Sequence, residues 1–290
     1  MSDTQFSLPP KGCERRMKSS DWRLPATDDL SAVTMRIGTY NVYGLRGYPE
    51  AEAVEYIGKP ESATAAAYFQ AVFRELACDI LALQEGVSHQ QMQRIASALG
   101  ADLATFPSPL HWPGHLLTCY PILESRILSQ APSWLRERPF SRMAGVALLA
   151  PSDHRLWVVN VHLHPSSPSL RAREAGLVRA TAQALLRDTG HVIVLGDFNC
   201  TRDEPIHRAL QELGFQDAMV VVGVGDQPTF NAIGQVGVTI DYVYLSAALR
   251  PALRQAAVVR ARGFYADGLS QPGQWVHSDH LPVVVELAWP

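Results

Sequence analysis

From Met35 onward, apolar and polar positions follow two alternating rhythms. MRIGTYNV (35–42), DILALQE (79–85), GVALLA (145–150), RLWVVNVHL (155–163) and VIVLGDFN (192–199) are short runs of branched and aromatic residues, the composition of strands. Between them, PESATAAAYFQAVFREL (60–76), SHQQMQRIASALG (88–100), SLRAREAGLVRATAQALLRD (169–188) and DEPIHRALQELG (203–214) place apolar residues at helical spacing. Ser88 and Gln91 fit a capping box, Gly100 is a C-terminal stop, and Pro168 and Gly190 bracket the long third helix. GVALLA and RLWVVNVHL read as neighbouring strands joined by the turn PSDH, and the last third (TIDYVYLS, QAAVVRARG, LPVVVELAW) is strand-rich. Alternation of this kind predicts one α/β domain over 35–290, with no repeat and no low-complexity linker. Residues 1–34 lack the periodicity and read as an N-terminal extension with the composition of a disordered segment.

Composition narrows the classes. The chain has 290 residues, 47% of them hydrophobic, enough for a large core. Its formal charge is -3, and Lys11, Lys18 and Lys59 are the only lysines, so bulk electrostatic attraction to nucleic acid is not favoured. Cys13, Cys78, Cys119 and Cys200 form no zinc spacing and read as free thiols. With neither a signal peptide nor a membrane span in the pattern, the expectation is a soluble, cytoplasmic monomer.

Several strands stop on chemistry. The first carries Asn41, the second ends on Glu85, RLWVVNVHL carries His162, and VIVLGDFN ends on Asp197 and Asn199. In open α/β sheets ligands sit beyond the carboxyl ends of strands. Ser278-Asp279-His280 precedes the strand LPVVVEL, and its start shares that rim if the strand runs antiparallel to the others. Asp241 sits within TIDYVYLS. Glu85, Asp279 and the amide oxygen of Asn41 are hard ligands suited to Mg²⁺, Mn²⁺ or Ca²⁺ rather than zinc. Imidazoles beside such a cation suit attack of water on a phosphate ester. Each residue alone also has a plainer reading: Glu85 as a solvated strand end, Asp241 as an edge charge, Ser-Asp-His as a turn. His162 and His164 share a strand face but lack a third zinc ligand.

In this order, the segments NVYG (41–44), LQE (83–85), GVALL (145–149), NVHLH (160–164), LGDFN (195–199), PTF (228–230), IDYVYLS (240–246) and SDHLPV (278–283) resemble the endonuclease/exonuclease/phosphatase superfamily, the DNase I-like metal-dependent phosphoesterases. The resemblance implies a four-layer α/β/β/α sandwich of two packed mixed sheets flanked by helices. It implies Glu85 as principal metal ligand for Mg²⁺ or Mn²⁺, with Asn41 and Asp279 beside it. Asp197 would orient or deprotonate the attacking water, and Asn199 would bond the phosphoryl oxygens. His280 would be base or phosphate stabiliser, held by Asp241, and His162 would donate to the phosphate or leaving oxygen. Tyr43 stands where repair nucleases of the superfamily carry an acid, an aromatic more reminiscent of the sphingomyelinase-like branch. The arginines after NVHLH (Arg171, Arg173, Arg179) read as a solvated helix face rather than a second phosphate site.

The expected function is hydrolysis of a phosphodiester, with a small or lipid-like substrate favoured. A DNA or RNA endonuclease or exonuclease is the alternative, a phosphomonoesterase ranks third, and a non-catalytic binding module on the same fold is the reading from another class. Such modules typically lose the metal glutamate or a histidine, and this chain keeps both.

Overall fold

The structure is a computed structural model, and it describes residues 33–130, 138–230, 237–266 and 273–289. The expected N-terminal extension and Cys13 lie outside the described residues, save for Val33 and Thr34, which open the first strand.

Two six-stranded mixed sheets form the centre. The first contains β1 (Val33–Asn41), β2 (Ile80–Gln84), β3 (Asp102–Phe106), β4 (Gly114–Thr118), β11 (Leu253–Val258) and β12 (Val283–Trp289), in the order β11-β12-β1-β2-β4-β3. The second contains β5 (Ile122–Ile127), β6 (Met143–Leu149), β7 (Leu156–His162), β8 (Val192–Asp197), β9 (Gln216–Asp217) and β10 (Asp241–Leu245), in the order β5-β6-β7-β8-β10-β9. Met35 and Ile37 of the first sheet join Ala147, Val158, Ile193 and Val243 of the second in one buried core. Helix α2 (Ala63–Leu76) and α3 (His89–Leu99) add Phe69, Phe73, Met92 and Ile95 to that core. Helix α4 (Pro168–Leu185) and α5 (Pro205–Glu212) cover the second sheet, where Val178, Ala182, Ile206 and Leu210 bury against Trp157, Val159 and Tyr244. This is the expected α/β/β/α sandwich.

Local chemistry accounts for most element ends. Ser62 accepts a hydrogen bond from Ala65 N at the start of α2, and Gly100 ends α3 in the left-handed region at φ 68. Three readings need correction. Ser88 does cap α3 through Gln91 N, but the reciprocal half of the box is absent. Glu61 takes the Ser88 amide at 2.7 Å, and the Gln91 amide group donates to the Ser62 carbonyl instead. Helix α4 ends at Leu185, with its C-cap Leu186 in right-handed conformation four residues before Gly190. Arg171 is 7% exposed, not solvated: it pairs with Glu204 at the start of α5 and donates to the His164 carbonyl at 2.8 Å. Helix α1 (Glu50–Ile57), which the sequence reading missed, buries only Ala53 and Ile57.

Among the described residues no helix is long and apolar enough to cross a membrane.

Candidate active site

Sheet register brings the polar strand ends together. His162 pairs with Asp197 across the parallel strands β7 and β8, and Asp197 pairs with Asp241 across the antiparallel strands β8 and β10. Three chemically active side chains therefore stand side by side on adjacent strands. Gly196 makes this possible: a Cβ there would lie 2.0 Å from the Val161 carbonyl oxygen, and its φ of 137 suits glycine alone. Strand β12 runs antiparallel to β1, with Thr39 opposite Val283, so the preceding Ser278-Asp279-His280 does reach the same rim. The Ser278 hydroxyl donates to the Asn41 carbonyl at 2.7 Å and fixes that turn to the end of β1.

Below the rim, polar side chains tie the two sheets together. Gln84 Nε2 donates to Asn160 Oδ1 at 2.8 Å and to the Thr39 hydroxyl at 3.0 Å. Asn160 Nδ2 donates to the carbonyls of Leu83 and His115. These groups are wholly buried, and their mutual satisfaction makes the floor of the site rigid.

Asp197 is the centre of the cluster. Its Oδ2 accepts from Asn41 Nδ2 at 2.9 Å, its Oδ1 accepts from Asn199 N at 2.9 Å, and His162 Nε2 stands 3.5 Å from Oδ2. Burial holds the Asp197 carboxyl well above the usual carboxylate range, aided by the charge of Asp241 and opposed by His280. His280 Nδ1 and Asp241 Oδ2 are 2.9 Å apart, and His280 Nε2 faces Asp197 Oδ2 at 3.8 Å. Burial disfavours charge on His280, but Asp241 and Asp197 together outweigh it and push the imidazole up to about 10. His280 is an imidazolium at neutral pH, and Asp241 takes its Nδ1–H. His162 is the opposite case. Burial, with the cations Arg142 and His280 nearby, lowers it to about 3, so it is a neutral ring.

Glu85 lies at the open side, with Oε1 at 3.7 Å from His162 Nε2. Burial raises its pKa and the charge of Asp279 adds to this, while His280, Asn41 and Arg142 pull it down. Glu85 and Asp279 lie close enough for their charges to interact, and as hard oxygen donors they fit a Mg²⁺ or Mn²⁺ ion. Asn41 fits that role less well, because its amide nitrogen faces Asp197 while its Oδ1 accepts from Tyr43 N at 3.2 Å. Asp197, Asp241 and His280 also offer atoms within 4.8 Å of one another. A cation there would have to displace the proton that joins His280 to Asp241, so that triad reads as proton-handling. Asn199 spends one amide hydrogen on the Leu163 carbonyl at 3.1 Å, which aims the side chain along the rim. His164 does not join the site as a zinc ligand, since its Nδ1 accepts from the amides of Ser166 and Ser167.

One residue escaped the sequence reading. Arg142 precedes Met143, which pairs with His162 in the sheet, and its charge acts on both Glu85 and His162. No periodicity marks a lone arginine ahead of a strand.

The sequence profile described as the Endonuclease/Exonuclease/phosphatase family matches residues 38–265. The chain belongs to that family. It is accordingly an enzyme acting on phosphoric ester bonds. No curated protein sequence matches it. Among solved structures it is similar to a mannosyl-6-phosphatase of Bacteroides thetaiotaomicron, at 17% identity and TM-score 0.66, over 87% of this chain and 99% of that one. It is also similar to a truncated TDP2 of Caenorhabditis elegans, at 14% identity and TM-score 0.63, over 88% and 97%. A third likeness is to the 3' phosphatase NExo from Neisseria, solved with a product DNA hairpin, at 19% identity and TM-score 0.61, over 88% and 100%. These likenesses establish the shared fold.

Proposed function

We propose that the protein hydrolyses a small phosphodiester with the help of a divalent cation. The observation that carries this reading is the buried Asp197, held by Asn41 and Asn199 between the neutral ring of His162 and the charged ring of His280. Glu85 and Asp279 would hold Mg²⁺ or Mn²⁺, which supplies charge neutralisation at the phosphate oxygens when bound. Asp197, with its raised proton affinity, accepts a proton from the attacking water as the new bond to phosphorus forms. The ester bond breaks with its electron pair on the leaving oxygen, which takes a proton from solvent and departs as the alcohol. His280, cationic and held by Asp241, stabilises the growing negative charge on the phosphoryl oxygens and is the less suited of the two to act as base. His162 offers a neutral N–H, and Asn199 offers the hydrogen it does not spend on Leu163. Arg142, whose charge is felt at Glu85, would add a second positive charge for a phosphate oxygen.

A small substrate is favoured over a nucleic acid by the net charge of -3 and by the aromatic Tyr43 at the rim. The nuclease reading is supported by likeness to structures solved with DNA, the Neisseria 3' phosphatase and a D. rerio TDP2 bound to a single-strand DNA product. The deciding experiment is turnover of bis-p-nitrophenyl phosphate with Mg²⁺, with Mn²⁺ and in excess EDTA, alongside plasmid nicking. Turnover is expected only with metal, and Glu85→Ala is expected to abolish it while the circular dichroism spectrum is unchanged. Undiminished activity in EDTA sinks the metal assignment. Plasmid nicking that is lost in Asp197→Ala would make the nuclease reading the better one.

A further inference from the structure

The edge of a sheet is a row of unpaired backbone groups, and proteins normally shorten, cover or charge it. Strand β5 ends one side of the second sheet. One of its edges pairs with β6, and among the described residues no strand pairs with the other. Only its first residue, Ile122, is partly buried. The rest of the strand is exposed, including Leu123 at 56% and Ile127 at 40%. The opposite edge of the same sheet, β9, is protected by its length of two residues.

Ladder alternation decides which backbone groups face outward. Ile127 pairs with Gly145, so the next residue, Leu128, stands opposite Ala144, and its amide donates to the Ala144 carbonyl at 2.9 Å. Bonded and non-bonded pairs alternate along an antiparallel ladder, so Arg126 and Glu124 also bond to β6. The N–H and C=O of Ser125 and Ile127 therefore point along the free edge. The side chains divide in the same way. Glu124 and Arg126 share one face of the sheet, where Arg126 Nε donates to Glu124 and the guanidinium lies 5.0 Å from the centre of the Trp157 ring. Ser125 and Ile127 take the other face.

We propose that β5 joins two copies of this chain, pairing antiparallel with its own counterpart about a two-fold axis at Ser125. Outward backbone groups must meet outward ones, so the open registers set odd-numbered residues opposite odd-numbered ones. Centring on Ser125 puts Glu124 opposite the partner's Arg126, and Arg126 opposite the partner's Glu124, with Leu123 facing the partner's Ile127. Moving the axis to Glu124 or to Arg126 sets like charges opposite each other. The stretch ILESRIL (122–128) is complementary to itself in one register. Its charge pairs fall at non-hydrogen-bonded positions, where facing side chains approach closest. Ser125 donates to and accepts from the partner's Ser125. The register shift between Ile122 and Glu124 falls at the end of this ladder and bounds it. Each chain offers one such edge, so the contact closes at a dimer, in place of the monomer expected from sequence. The axis stands perpendicular to the sheet, so the two active-site rims face opposite ways and both stay open.

The test is analytical ultracentrifugation of the full-length protein, with the Tm of each variant as the control for folding. Wild type should pass from monomer to dimer as its concentration rises to about 100 µM, where a contact with a Kd near about 10 µM is mostly dimeric. Glu124→Arg sets arginine opposite arginine twice in the dimer and should weaken it at least about tenfold. Adding Arg126→Glu exchanges the two charges and restores both pairs, so the double variant should dimerise as wild type does. Ser125→Pro removes the outward N–H at the axis without touching the β6 ladder, a place on an edge strand where proline is tolerated. It should be monomeric at an unchanged Tm, and if it unfolds the two charge variants decide alone. The proposal is overturned by a wild type that stays monomeric or assembles beyond a dimer, by a Glu124→Arg dimer as tight as wild type, or by a double variant that stays monomeric.

Discussion

Asp241 reaches His280 through a single oxygen, and its other oxygen is buried without a partner. That asymmetry suggests how the residues divide the work. If Asp241 only holds the ring and its charge, Asp241→Asn keeps the geometry and lowers kcat less than His280→Ala does. Removing the imidazole itself should cost about 10²–10⁴ in kcat. The three rates on one substrate check this, and an Asp241→Asn loss exceeding that of His280→Ala would give Asp241 a direct part in the chemistry. Arg142 makes a second prediction at the same scale. As a phosphate contact, Arg142→Ala should raise KM, with Arg142→Lys recovering part of it, because charge alone replaces part of a planar fork. An unchanged KM in both would return Arg142 to a bystander. Neither Arg142 nor the amide orientation of Asn41 could be read from sequence. One is a lone charge whose neighbours are set by the sheet, and the other depends on which of two nearly identical amide atoms meets Asp197.

The strands that carry the site were legible, because branched apolar runs ending in Gly-Asp, Gln-Glu or Asn-Val-His break their own pattern at the point where they leave the core, whereas β3, β4 and β5 went unread. The antiparallel return of β12 could be stated as a condition, and the register with β1 fulfils it. Short amphipathic pieces were not legible. Helix α1 shows two buried residues in eight, and β9 is two residues long, too little for a period to register. Arg171 was misread for a related reason: its partner Glu204 lies 33 residues away, and no helical wheel contains it. With side-chain exposures of 8% and 18%, this pair joins α4 to α5 in a largely dry setting. Arg171→Met should therefore cost stability, on the order of 3 kcal/mol for breaking one side of a buried pair, with little change in KM. Chemical denaturation alongside steady-state kinetics checks it. A raised KM at unchanged stability would restore the second-phosphate reading.

Across the whole molecule, the same burial that tunes the site leaves neutral histidines in the core that take no part in it. His207 lies under β10 with Nδ1 at 2.8 Å from the Tyr244 hydroxyl, and His277 lies beside Phe264 with Nε2 at 3.0 Å from the Tyr68 hydroxyl. Burial lowers both to about 4, as it does His115. In the unfolded chain these rings titrate near pH 6.5. Above that pH they are neutral in both states and contribute no slope. Below it the unfolded chain binds protons that the folded protein refuses, so stability falls as pH drops from about 6.5 toward 4. Each histidine contributes at most roughly 1 kcal/mol per pH unit in that window. Asp197 and Asp217, raised by burial, act in the opposite direction there, because the folded state holds their protons more tightly. His280 is protonated in both states through most of the window, and it instead withdraws stability as pH rises from about 6.5 toward 10. The histidine share can be isolated by removing one ring. His207→Gln, which can still meet the Tyr244 hydroxyl, should flatten the acid limb of the unfolding free energy between about pH 6.5 and 4.5 by one histidine's share. Denaturant titrations across that range measure it, and a variant whose acid limb runs parallel to that of the wild type would show that His207 is protonated in the folded protein after all.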